Sequence, residues 1–283
     1  MWADLHVSGM VILAALLHAS WNAMVKHSED TLVTMGAIMS TGTVLGALAI
    51  PFLPALPAAS WVYLALSVLL HLAYQLILIK AYRSADLSQV FPIFRGIPPV
   101  LVAGFAGLIA GELLAPPQLL GVAVISLGIG SLALHRGLPR GQDRQALLWA
   151  LGTAAAITSY TFADGLGVRL AGNSLAYAAW LFFFNGIPYA LFAWWRRRAA
   201  LWPVLARTWP LGLAAGLMAI SGFTIVLWAF ARAPLAPVAA LRETSVIFAA
   251  LIGTLVLREP FGRLRLLAAL LVAAGIVLLH LGR

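Results

Sequence analysis

The sequence predicts an all-α membrane protein: ten transmembrane helices forming two inverted five-helix repeats around a central cavity. Three observations lead there. Of the 283 residues, 63% are hydrophobic and only 10% are charged, whereas a soluble domain carries about 25% charge. Ten stretches approach or reach the roughly 20 apolar residues that cross a bilayer as a helix. The two halves of the chain also share an ordered set of matching segments.

Only helices and closed barrels satisfy the backbone in hydrocarbon. The apolar runs lack the alternation of barrel strands, so helices are expected. Connectors are short and no soluble domain is foreseen. The first repeat should occupy residues 1–135, a cytoplasmic linker 136–145, and the second repeat 146–283.

Span 1 covers about 7–25. Met1–Val7 has no Lys or Arg, so the basic flank of a signal peptide is missing and the span should be retained. His18 and Asn22 share its face at i, i+4, with Trp21 beside them. Trp21 reads either as an interfacial anchor or as an aromatic wall for a ligand, with Asn22 as a polar contact. Span 2 covers 31–53. Span 3, 61–82, carries His71, Tyr74 and Gln75 at i, i+3, i+4, one polar stripe on an apolar helix. Such a stripe should face a cavity or another helix. His71 is a candidate carrier for a coupled proton; the alternative is a packed neutral ring.

Span 4, 88–110, contains Arg95 together with Pro92, Pro98 and Pro99. Arg95 reads as a gating charge or as a side chain snorkelling to the cytoplasmic interface. Interior prolines bend a helix, so Pro92 and Pro98 make span 4 the hinge candidate. Glycines along Val102–Gly111 would allow close helix approach. Span 5, 117–134, follows Gly111–Glu112, where a carboxylate suits the start of a helix.

Span 6, 146–168, spaces Tyr160 and Asp164 at i, i+4, as a possible wall and polar contact, with Asp164 near the outer end. Span 7 covers 174–195. Span 8, 209–230, has Ser221, Thr224 and Trp228 along one side, mirroring the stripe of span 3. Span 9, 236–257, follows Pro234 and contains Arg242–Glu243. Ionisable groups inside a span are costly unless paired or wet. Adjacent residues on a helix point about 100° apart, so one of the two should face the cavity while the other pairs with a neighbouring helix. The alternative is a salt bridge that only fixes packing. Ser245 lies near the face of Arg242. Span 10, 264–281, follows Arg258–Glu259–Pro260, which reads as a helix entry.

Charge sets the orientation. The connectors after odd spans hold Lys26, Lys80, Arg83, Arg136, Arg140, Arg144, Arg196, Arg197, Arg198, Arg207, Arg258, Arg263 and Arg265. The other side holds only Arg169, Arg232 and Arg283. Basic loops stay inside, so odd connectors should be cytoplasmic and both termini outside. The net charge of +9 is thus explained by topology, and no nucleic acid partner is expected.

Lys80–Val90 aligns with Trp228–Val238 at an offset of 148. One gap later, Arg95 meets Arg242, Glu112 meets Glu259 and Gly128 meets Gly275 at an offset of 147. Ser20–Asn22 meets Ser159–Thr161 at 139. Five helices per repeat is an odd number, so the second copy enters from the opposite side. Inverted repeats of this kind are a transporter architecture, with the substrate site at the repeat interface near the midplane.

On the segments His18–Lys26 ("HASWNAMVK") and Ala236–Pro260 ("APVAALRETSVIFAALIGTLVLREP"), with Gly111–Glu112 and Arg258–Glu259, the chain resembles the drug/metabolite transporter superfamily in its ten-helix EamA-like branch. The resemblance spans essentially the whole chain. It implies secondary transport of small metabolites, and the chain is similar to bacterial inner-membrane amino acid exporters.

No cysteine is present, which excludes disulfides and thiolate metal sites. No phosphate-binding glycine loop, HExxH or GxSxG motif occurs, so neither ATP hydrolysis nor an enzyme is expected, and no cofactor or metal. The expectation is a monomeric exporter of small, partly apolar metabolites, amino acids foremost, in the bacterial inner membrane. Its partners would be the substrate, the lipid bilayer and a coupled proton if one is used. Alternatives are a multidrug or cation exporter and a lipid scramblase.

Overall fold

A computed structural model of the protein describes residues 2–26, 28, 30–84, 87–132, 143–198, 201–255 and 263–281. Eleven α-helices follow one another: α1 (Trp2–Lys26), α2 (Thr31–Ala49), α3 (Ala58–Ser84), α4 (Leu87–Ala110), α5 (Pro116–Ser131) and α6 (Asp143–Ala171), then α7 (Ser174–Arg197), α8 (Leu201–Phe230), α9 (Leu235–Arg242), α10 (Ser245–Leu255) and α11 (Arg263–Leu281). A 3-10 turn, Ile50–Phe52, extends α2, and no strand occurs among the described residues. Eight segments are long and apolar enough to cross a membrane; α9 and α10 share one of them, Leu235–Ile252. The shorter apolar helices Pro116–Ser131 and Leu266–Leu281 complete ten spans. Large apolar side chains such as Leu48, Leu69, Leu108, Leu127 and Leu270 face outward. In water this surface would drive association; in lipid it is at rest.

Connectors meet as alternating threading requires. Arg169, at the end of α6, bonds Glu112 after α4 and the carbonyls of Phe230 and Ala233 after α8. These are the even connectors, gathered at one end. At the other end Asp30, before α2, pairs with Arg197 at the end of α7 at 2.9 Å. Lys80 of α3 lies there over the Trp149 ring of α6. Asp30 also caps α2 by accepting from Leu32 and Val33 N–H. Partial burial pushes its carboxyl up, but the Arg197 and backbone hydrogen bonds outweigh this and hold it below the ordinary carboxylate value.

The packing is two-fold. With α1–α5 matched to α6, α7, α8, α9–α10 and α11, several of the principal contacts between the halves have their images. α3 packs on α6 as α8 packs on α1, and α4 packs on α6 as α9–α10 pack on α1. α2 pairs with α7, α4 with α9 and α5 with α11 across the axis. The last pair is reciprocal to the residue. Gly128 lies against Ala268 and Val272, while Gly275 lies against Gly121 and Ile125. At the offset of 147, Gly121 and Ile125 are the counterparts of Ala268 and Val272. A residue i touching j while the copy of j touches the copy of i is the mark of a two-fold interface.

Three local expectations change. The close-approach glycines include these and not those along Val102–Gly111: a Cβ on Gly104 would meet open space, and one on Gly107 only ordinary contacts. α8 begins at Leu201, so Arg207 lies inside the helix and not in a connector. Span 9 is not one helix. It breaks at Glu243–Thr244, whereas α4 runs unbroken through Pro92, Pro98 and Pro99. Linker residues 136–142, like Arg258–Glu259–Pro260, lie outside the described residues.

Candidate functional site

The break in span 9 builds the centre of the site. Glu243 closes α9 with φ −71° and ψ −8°, and its N–H turns back to Ala240 and Leu241. Arg242 ends α9 where the helix dipole is negative, and Glu243 precedes α10 where it is positive. Each charge sits at the terminus that favours it. Because the helix is interrupted, the 100° rule lapses and the two side chains converge, with Arg242 Nε 3.7 Å from Glu243 Oε1.

Arg95 comes in from α4. Its Nε lies 2.8 Å from Glu243 Oε2, and Nη2 donates to Ser245 Oγ at 2.8 Å. The Nε–H is not directed at that oxygen, so this contact is a close ion pair and not a directed hydrogen bond. Arg95, Arg242 and Glu243 are 7%, 6% and 1% exposed. At that burial an unpaired charge would be untenable. Arg95 therefore does not snorkel; it holds the carboxylate of the other half.

Aromatic rings connect this cluster to a second one. Arg242 faces the Tyr160 ring at 6.0 Å, and Tyr160 stacks on His71 at 4.2 Å. Tyr74 meets Tyr160 edge-on, and Phe223 of α8 meets His71 edge-on. Beyond His71 lies Asp164, fully buried and not wet at an outer end as its position in span 6 suggested. Ser67 Oγ donates to its Oδ1 at 2.5 Å, and Tyr177 OH reaches the same oxygen at 3.5 Å. Gly167 makes this possible: a Cβ there would collide with the Tyr177 ring.

The structure thus gathers His71, Tyr74, Arg95, Tyr160, Asp164, Arg242, Glu243 and Ser245 into one chain of contacts between the halves. Pro92 and Pro98 are buried in α4 close to Arg95. Other expected residues stand apart from those contacts. Trp21 is half-buried against Val25, Ile38 and Ala215, edge-on to His18. Asn22 is exposed and donates to the His18 carbonyl of its own helix. Gln75 and Thr224 are half-buried, and Ser221 is exposed. Trp228 contacts His6 and lies under Arg232. Sequence reasoning missed Ser67, although it extends the stripe of span 3 one turn back from His71. It also missed Tyr177, which no spacing could have indicated. Glu112 caps a helix as expected, but the helix is α9, whose Leu235 N–H it accepts at 2.8 Å. At α5 the Gln118 side chain serves instead, accepting from Ala115 N–H.

A cavity of about 450 Å³ lies elsewhere, at the end of α7, lined by Trp194, Trp195, Arg198 and Trp202. No group of three or more His, Cys, Asp or Glu able to hold a metal occurs among the described residues.

Comparison with known proteins agrees with this architecture. Residues 144–281 match the model of the EamA-like transporter family. A solved crystal structure covers 97% of this chain and 95% of its own at a TM-score of 0.76 and 18% identity, a likeness of fold. No curated protein matches the sequence. The second half of the chain is thus similar to the EamA-like transporter family, of the drug/metabolite transporter superfamily. Together with the apolar helices, this match indicates a multi-pass membrane protein, similar over residues 144–281 to transporters of small molecules.

Proposed function

We propose that the chain exports small, partly apolar metabolites carrying both charge signs, amino acids foremost, across the bacterial inner membrane by alternating access. The observation that carries this reading is the buried Arg95–Glu243–Arg242 cluster beside Tyr160. A zwitterion can present its carboxylate to an arginine and its ammonium to Glu243, replacing an internal ion pair by two pairs with substrate. Charge stays compensated throughout, which a low-dielectric interior demands. Tyr74, Tyr160 and Phe223 offer apolar wall for the side chain.

The packing supports a way to move. α3, α4 and α6 form one three-helix unit, and α1, α8 and α9–α10 form its image. The Arg95–Glu243 pair crosses between the units at mid-depth, and the Glu112–Arg169 group crosses between them at the outer end. Rocking would run between these interlaced units and not between the sequence halves.

Counterflow in proteoliposomes tests the proposal. Vesicles loaded with unlabelled amino acids should take up the labelled counterpart, and Glu243→Gln should abolish that exchange. If no amino acid exchanges, while organic cations or fluorescent lipids do cross, the substrate class is wrong.

A further inference from the structure

Asp164 Oδ1 is satisfied by Ser67 and Tyr177, but Oδ2 is buried without a hydrogen-bond partner and lies 4.0 Å from His71 Nε2. Across the ring, His71 Nδ1 is 2.9 Å from the Ser67 carbonyl oxygen and 3.2 Å from Ser67 Oγ. A carbonyl only accepts, and the single Ser67 hydroxyl proton is directed at Asp164, so Nδ1 is the protonated nitrogen. Nε2 then turns a lone pair toward a carboxylate oxygen. Two acceptors face each other in a site where an unmet acceptor is costly. What would satisfy both is one proton.

We propose that Asp164 and His71 form a single proton-binding site that carries the coupled proton of this transporter. With the proton, bound at Oδ2 or Nε2, the pair is neutral; without it, the pair holds one negative charge. Groups of every packed element bear on it. These are Ser67 and Tyr74 of α3, Arg95 of α4, Tyr160 of α6, Tyr177 of α7, and Arg242 and Glu243 of α9 and its end. α8 brings Phe223, which does not titrate. His71 stacks on Tyr160, and Tyr160 faces Arg242. Losing the proton therefore leaves a negative charge on Asp164, two rings away from the cation that pairs with Glu243. That charge competes for Arg242 and changes how strongly the Arg95–Glu243–Arg242 cluster holds a zwitterion. α3 and α6 belong to one packing unit, so the proton site stays assembled while the second unit moves.

The coupling role rests on the transport reading above; the shared proton does not, and two measurements separate them. The first is an infrared difference titration of the purified protein without substrate. A protonated carboxyl band should appear on acidification, vanish in Asp164→Asn and shift in His71→Gln. A band unchanged in either variant overturns the site. The second is flux into proteoliposomes with and without an imposed proton gradient. The ratio of driven to undriven flux should exceed one and fall to one in Asp164→Asn and His71→Gln. A wild-type ratio of one, or variants that keep the wild-type ratio, overturns the coupling. If the wild type moves no substrate, the transport reading fails while the infrared result still decides the site. His71→Gln serves where Asp164→Asn does not fold.

Discussion

Arg95 and Arg242 occupy equivalent positions in the two halves, yet both lean on one carboxylate, that of Glu243. The counterpart of Glu243 in the first half is Gly96, packed against the Ser126 carbonyl of α5. The two-fold relation holds for the cations and is broken for the anion. The ground for distinguishing the two halves chemically therefore lies in this pair of positions.

Glu243→Gln should strand two buried guanidinium groups. Removing one partner of a buried pair costs about 3–5 kcal/mol. Arg242→Gln should cost less, because its contact is longer, at 3.7 Å against 2.8 Å. Thermal unfolding in detergent ranks the two. An equal or reversed order would show that Glu243 does not depend chiefly on Arg95.

At the end of the bundle where the even connectors meet, Glu112 binds Arg169 and the Leu235 N–H, and Arg169 binds the Phe230 and Ala233 carbonyls. Weakening this group with Glu112→Gln should shift the population toward an outward-open form. The chain has no cysteine, so Thr224→Cys provides a single reporter. Its labelling by an impermeant thiol reagent from outside should rise several-fold in the variant. Unchanged labelling would leave Glu112 a structural cap only.

At the α5–α11 contact, Gly128→Ala and Gly275→Ala should destabilise to a similar extent, by about 1–3 kcal/mol each. Gly104→Ala faces open space and should be neutral or stabilising by up to about 1 kcal/mol. Denaturation of the three variants checks this. A large gap between the two interface glycines would contradict a reciprocal interface.

Ser28 and Asn173 follow α1 and α6, the first helices of the two halves. Single cysteines at these positions should label from opposite faces of the membrane, Ser28→Cys from the cytoplasmic side. Labelling from one face would end the inverted-repeat description.

Most of the fold was legible because lipid imposes a simple rule on composition. Ten apolar runs became ten spans, and the Arg95, Arg242, Gly128 and Gly275 alignment carried the symmetry. What stayed hidden depends on three-dimensional partners. The break at Glu243–Thr244 has neither Gly nor Pro to announce it, while α4 continues as one helix through its three prolines. Arg95 looked solitary because its carboxylate comes from the other half. Within the site, a polar stripe marked His71 and Tyr74 correctly as interior, but the same logic at Ser221 and Trp228 led to residues apart from the polar contacts. Periodicity gives a side chain's face, and only packing says what that face meets.

Interlacing has a consequence for biosynthesis. α3 finds its principal neighbour in α6, and α1 finds its own in α8, so when the ribosome has delivered only α1–α5, those helices stand in lipid without the surfaces they fit. Their small and polar faces, Ser67 and Arg95 among them, must wait for the rest of the chain or for an insertion factor to shield them. Assembly of this protein is thus committed late, when the last helices thread between those already inserted.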